Sequence, residues 1–178
     1  PTSSHDSATT DEVTARVLTS ADFGTYADVE STPLAAVRFT SLASNGVLQF
    51  DTTGLGAWSA LGLNAEVTAA QLSADRLRFV PDADENGSPY ATAQFQVSDG
   101  TDFSAAYTLT FQVNPVNDPP VVNSPIPDQE ATETQLFSFQ FDAQAFTDPD
   151  AGDSQSYSAT LANGDPLPTW LSFDAPTR

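Results

Sequence analysis

The sequence has no cysteine, no lysine and a single histidine. Without cysteine, disulfides, thiolate zinc sites and cysteine nucleophiles are excluded. A β-rich chain of this kind must find its stiffness elsewhere, and bound metal ions are one route. The single histidine, His5, lies in a polar Ser/Thr-rich start and reads as a disordered tail residue. A Ser-His-Asp triad needs a positioned base, which such a residue does not supply. Positive charge is also scarce: five arginines stand against 24 Asp and Glu, for a formal net charge of -19. That balance repels nucleic acid and anionic lipid. No apolar run approaches the roughly 20 residues that span a bilayer as a helix, so membrane insertion is not expected. No signal-peptide pattern follows Pro1, so the chain is expected to be part of a longer protein whose export signal lies elsewhere.

What is present fits a packed β protein. Hydrophobic residues make up 39% of the 178, enough to bury a core despite the charge. A β-sandwich takes about 100 residues, so one sandwich fits with about half of another. The acidic excess needs counter-charge, and carboxylate and carbonyl oxygens suit Ca²⁺. General acidity for solubility explains the composition equally well.

Alternation is the clearest local signal. Ala91, Ala93, Phe95 and Val97 interleave with Thr92, Gln94, Gln96 and Ser98. Ala105, Tyr107, Leu109, Phe111 and Val113 repeat the pattern with Thr108, Thr110 and Gln112 between them. Period-2 runs are strands with one buried face. The tight-turn composition Asp99-Gly100-Thr101-Asp102 between them predicts an antiparallel hairpin. Further strands are expected over 13–18, 34–42, 47–50 and 76–80, with Val37 and Phe39 sharing a face. One short helix is expected over 69–74, capped by Thr68. The proline-rich stretch Val113-Asn114-Pro115-Val116-Asn117-Asp118-Pro119-Pro120 marks a boundary, because paired prolines suit neither a helix nor a central strand. Beyond it, Phe137, Phe139 and Phe141 alternate with polar residues, and strands are expected there, over 156–161 and over 170–173. Four strands cannot close a sandwich by themselves. The domain plan is a flexible segment 1–10, a β-sandwich 11–118, and half of a second, incomplete or split, sandwich over 119–178.

Acidic residues gather in the expected loops: Asp11 and Glu12; Asp28 and Glu30; Asp82, Asp84 and Glu85 with Asn86 and Gly87; Asn117 and Asp118; Asp148, Asp150 and Asp153. A calcium ion takes six to eight oxygens, and an Asp-x-Asp spacing lets two carboxylates converge on one ion. Asp and Asn also favour turns for their own reasons, which leaves a turn-only reading for any single cluster.

Several segments carry a resemblance. Leu18-Thr19-Ser20-Ala21-Asp22-Phe23, Asp28-Val29-Glu30, Leu77-Arg78-Phe79-Val80-Pro81, Asn86-Gly87-Ser88-Pro89-Tyr90, Phe95-Gln96-Val97-Ser98-Asp99-Gly100 and Val116-Asn117-Asp118-Pro119-Pro120 make residues 11–120 similar to the cadherin-like repeats of large bacterial surface proteins. Ile126-Pro127-Asp128-Gln129, Phe146-Thr147-Asp148-Pro149-Asp150 and Leu167-Pro168-Thr169-Trp170-Leu171-Ser172-Phe173 make residues 126–174 resemble the start of a dystroglycan-type cadherin-like domain. The resemblance implies an all-β fold of tandem Ig-like, Greek-key sandwiches, the second incomplete, with Ca²⁺ at each junction. It assigns Asp11, Glu12, Asp82, Asp84, Glu85, Asn117 and Asp118 as ligands from the upstream domain, and Asp148 and Asp150 as ligands from the downstream one. Asp28 and Glu30 hold the corresponding place at the start of the first domain. Pro115 and Pro119 stand where animal cadherin linkers carry further ligands, which leaves the ion count open.

The functional expectation is a non-enzymatic, calcium-stiffened extender of a large secreted or cell-surface adhesin of the RTX type. Its partners would be neighbouring domains of the same chain and a complementing half-domain. The alternative is an accessory, carbohydrate-binding module of a secreted polysaccharide-active protein, which exposed rings beside Trp58 or Tyr26 would favour. Trp58 and Trp170 otherwise read as core or rim packing. Asn86-Gly87-Ser88 fits a glycosylation sequon, but a turn is the better reading.

Overall fold

The computed structural model describes residues Pro1–Arg178 and is all-β apart from one short helix and a 3-10 turn. The chain divides into two compact units, Pro1–Val116 and Asn117–Arg178. The boundary falls two residues before the one expected from the prolines.

The first unit is a sandwich of two sheets. One has five strands: β1 (Asp6–Asp11), β9 (Tyr107–Asn114), β8 (Gly87–Ser98), β3 (Ala36–Ser41) and β6 (Glu66–Thr68), in that spatial order. The other has four: β2 (Arg16–Val17), β7 (Leu77–Val80), β4 (Val47–Asp51) and β5 (Trp58–Ala60). The chain passes repeatedly from one sheet to the other, so sequence neighbours such as β1 and β2, or β7 and β8, lie in different layers. Greek-key sandwiches connect their strands this way.

The alternating runs do what their period requires. Ala91, Ala93, Phe95 and Val97 of β8 are buried, as are Leu109, Phe111 and Val113 of β9. The two strands pair antiparallel with Ala93 opposite Leu109 and Phe95 opposite Tyr107. Ala105 is exposed before β9 begins at Tyr107, so the second run starts later than its pattern suggests. Across the sandwich, Phe79 of β7 stacks on Phe111 of β9 with ring centroids 3.9 Å apart. Phe23 meets Phe39 and Phe95 edge-on at 5.9 and 5.1 Å. The first contact joins the two sheets, and the Phe23 contacts seat the 3-10 turn Ser20–Phe23 on the five-stranded one.

Helix α1 (Ala69–Ser73) begins where its cap predicts. The Thr68 hydroxyl accepts the Gln71 N–H, and the Gln71 side chain accepts the Thr68 N–H in return. This reciprocal pair satisfies two N–H groups that a helix start leaves open.

The start of the chain departs from the flexible segment expected over 1–10. Residues 6–11 form β1, which pairs in parallel with β9 along its whole length. His5 is no free tail residue: its Nδ1 accepts the Thr108 N–H at 2.9 Å, and its ring meets Tyr107 edge-on. The physical reason is the exposed edge of β9, whose unpaired N–H and C=O groups recruit any extended neighbour. Between β1 and β3, the strand expected over 13–18 shrinks to Arg16–Val17.

The second unit contains one two-stranded ladder, β10 (Val121–Val122) against β11 (Phe146–Thr147). The strands expected around Phe137–Phe141, over 156–161 and over 170–173 do not form; a single bridge joins Thr160 to Pro166. Its apolar centre is a ring cluster in which Phe141 meets Phe146, Tyr157 and Phe173, beside the buried Ala145. Alternation assigns side chains to faces, but a ladder also needs a partner backbone. Residues 137–141 find none within this unit.

Candidate metal centre

The acidic residues fall into two groups according to what their oxygens already hold. In the first unit most are engaged by protein donors. Glu12 is buried and accepts the Val116 N–H and the Asn86 side-chain N–H. Asp11 is exposed and accepts from the Asn114 side chain at 3.0 Å. Asp82 accepts the Gly46 N–H at 2.8 Å. Both Asp82 and Glu85 lie within hydrogen-bond reach of the Tyr90 hydroxyl, at 3.3 and 3.0 Å. Burial pushes the Tyr90 phenol up to about 12, the Asp82 N–H pulls it back, and the Glu85 and Asp82 carboxylates add to the rise. Asp84 is exposed and sits apart from these contacts, with a left-handed backbone at φ 58°. No three acidic residues confined to this unit converge on one point.

Asp28 closes its own loop by accepting the N–H groups of Glu30 and Thr32 at 3.0 and 3.1 Å. The Thr32 N–H is the main reason its carboxyl lies below the usual range; burial opposes it, and the Pro1 nitrogen 3.2 Å away assists. Glu30 is exposed.

The second unit holds the one convergent set confined to a single unit. Carboxylate oxygens of Asp148, Asp150 and Asp153 lie within 4.8 Å of one another. The β10–β11 ladder positions them. Val121 pairs with Thr147, and carrying that register outward brings Asp118 opposite Asp150. The Asp118 N–H accordingly donates to an Asp150 oxygen at 2.7 Å. Beyond the ladder the chain turns: the Asp150 N–H donates to Asp148 Oδ1 at 3.1 Å, and the Asp153 N–H to the Asp150 carbonyl at 3.3 Å. Gly152, at φ 102°, takes a backbone conformation that side-chain-bearing residues rarely adopt. Asn117 turns its amide onto the Asp118 carbonyl.

Of the residues singled out in the sequence, the structure therefore groups Asp148 and Asp150 with Asp153, and links Asp118 to them. Within the first unit, Asp28 and Glu30 share one loop, Asp82 and Glu85 share the Tyr90 hydroxyl, Asp11 and Glu12 each accept from protein N–H groups, and Asp84 stands apart. Asp153 was absent from the ligand set that the resemblance implied. Its signal was the Asp-x-Asp-x-x-Asp spacing with glycine before the last carboxylate. The donor set is all oxygen, which is hard-cation chemistry of the Ca²⁺ or Mg²⁺ kind and unsuited to soft metals.

An all-β sandwich in the first unit defines the class of protein. Residues 119–178 match the model of the family described as "Putative Ig domain". No curated protein and no solved structure matches the chain. The family match supports an Ig-like second domain and reaches neither the cadherin-like nor the adhesin reading. No helix is long and apolar enough to cross a membrane.

Proposed function

We propose that the chain is a calcium-binding structural segment of a large secreted or cell-surface bacterial adhesin, with no chemistry of its own. The observation that carries this reading is the convergence of Asp148, Asp150 and Asp153 in one loop, with Asp118 bonded to it. Three like charges at such spacing repel unless a cation relieves them. A hard divalent ion does so and takes further oxygens from backbone carbonyls and water.

Asp118 lies in the proline-rich linker, and Asp150 lies just past β11. An ion held by the 148–153 loop would fix the linker residues to the body of the second unit and remove a hinge. Extracellular calcium modules bind at about 10⁻⁴–10⁻³ M, so such a device would be loaded outside a cell and empty in cytosol.

Calorimetric titration with CaCl₂ tests the reading. The parent chain is expected to bind in that range, and Asp148→Ala, Asp150→Ala and Asp153→Ala to weaken it at least about tenfold, or about 1.4 kcal/mol. Asp84→Ala should leave it unchanged. A stoichiometry and affinity identical in all five proteins would refute the assignment.

A further inference from the structure

The chain has few cations, and two of them stand together without a carboxylate. Arg76 and Arg78 lie two residues apart in and beside β7, and neither forms an ion pair. Gln49 stands opposite Arg78, and Trp58 opposite Asp51, on the sheet face turned away from the core. The alternate residues Leu48, Leu77 and Phe79 fill the core side.

The Arg78 guanidinium is held in place by a neutral group. Its Nε and Nη2 donate to Gln49 Oε1 at 2.9 and 2.7 Å, and its carbon sits 4.1 Å from the centre of the half-exposed Trp58 indole. Arg76 donates only through Nε, to the Asp51 carbonyl at 2.7 Å. Asp51 is the carboxylate that register places nearest, but its side chain is turned into the loop after β4. There it accepts the N–H groups of Thr53, Gly54 and Gly56 and the Thr53 hydroxyl. The remaining guanidinium N–H groups of both arginines and the Gln49 amide N–H₂ are left for solvent or a ligand.

The other sheet supplies a comparison. There Arg38 donates to Gln96 and lies over Phe103 at 3.6 Å, but the Gln96 amide is closed by donating to the Ser104 carbonyl at 2.6 Å. The two sets differ in the glutamine: the Gln96 amide is spent on the Ser104 carbonyl, whereas the Gln49 amide is not spent on a protein acceptor.

We infer that Trp58, Gln49, Arg76 and Arg78 form a binding site for a carboxylated sugar of the uronate class. A fixed guanidinium matches a carboxylate with paired N–H donors. One face of the Trp58 indole is already taken by that guanidinium, so the ring holds Arg78 flat beside the ligand and is not a platform beneath it, while the free Gln49 amide can meet a sugar hydroxyl. Neither Trp58 nor Tyr26 has a second aromatic ring beside it, so the site does not resemble a groove for a neutral polysaccharide. The net charge of -19 disfavours long polyanions, which points to a single acidic sugar or a short chain end.

Indole fluorescence on a Trp170→Phe background isolates Trp58, and EDTA in the buffer keeps the result independent of calcium. Titration with trigalacturonate is expected to change the Trp58 emission saturably. Arg78→Gln should weaken binding about tenfold or more, with Arg76→Gln, which leaves the Trp58 stack intact, weakening it less. The fully methyl-esterified trimer should not bind. Three results would overturn the site: no saturable change with trigalacturonate, equal binding of the ester, or tighter binding of hexaglutamate, which would assign the face to an acidic peptide.

Discussion

At the scale of single residues, what a carboxylate does is decided by the donors around it. Asp51 is only 4% exposed. Burial alone would raise its pKa, but the Gly56, Gly54 and Thr53 N–H groups and the Thr53 hydroxyl outweigh burial and lower it from 3.8 to about 2. Its role is to hold the loop after β4. A folded pKa below the unfolded one contributes stability that is complete above about pH 4 and is lost as pH falls toward about 2. Urea midpoints measured across that window should fall for the parent chain, and Asp51→Asn should remove part of that slope while lowering stability at neutral pH. Asp28 and Asp99, whose carboxyls are also lowered by backbone N–H groups, act in the same direction. Asp148 and Asp150 each accept one backbone N–H, from Asp150 and Asp118, fewer than Asp51 does, and in the proposed function their remaining oxygens hold an ion. Residue type alone could not separate these cases. In the sequence Asp51 drew no notice, while Asp82 and Asp84 stood out; the difference lies in backbone N–H groups that no spacing rule reveals. Among core residues, the stacked pair Phe79 and Phe111 bridges both sheets. Phe111→Ala should cost about 3–5 kcal/mol in urea unfolding, as deletion of a fully packed ring does.

At the scale of elements, the best-read parts are those whose local chemistry and burial agree. The β8–β9 hairpin was legible because seven inward positions in the two strands carry apolar side chains that the core takes up. Helix α1 was legible from Thr68, whose removal by Thr68→Ala should cost about 1 kcal/mol, measured by chemical denaturation. Strand β1 was not legible: in Asp6-Ser7-Ala8-Thr9-Thr10-Asp11 only Ala8 is a buried apolar residue. It is a strand because β9 offers a free edge, which is a fact about a neighbour more than 90 residues away. The Phe137–Phe141 run fails in the opposite sense, with a strong pattern and no backbone to pair with. For the candidate site, the Asp-x-Asp motif was visible in the sequence, whereas the Asp118–Asp150 bond required the β10–β11 register.

At the scale of the whole molecule, the two units differ in how much they bury. The first has a core drawn from both sheets; the second has one buried apolar residue, Ala145, and leaves Leu136 at 97% and Trp170 at 82% exposure. A fragment of residues 1–116 is therefore expected to unfold in one cooperative transition by calorimetry, while residues 117–178 alone should show a broad transition or none. Calcium added to the full chain should sharpen only the second component if the 148–153 loop holds the ion.

Strands β1 and β9 run side by side in the same direction, with Asp6 opposite Leu109 and Asp11 opposite Asn114. Tension on the chain from either side of the first unit enters β1 at its leading end and leaves β9 at its trailing end. The strands are then dragged lengthwise past each other, so all six registered pairs share the load instead of opening one after another like a zipper. A segment built this way resists being stretched far better than its thermal stability alone would suggest.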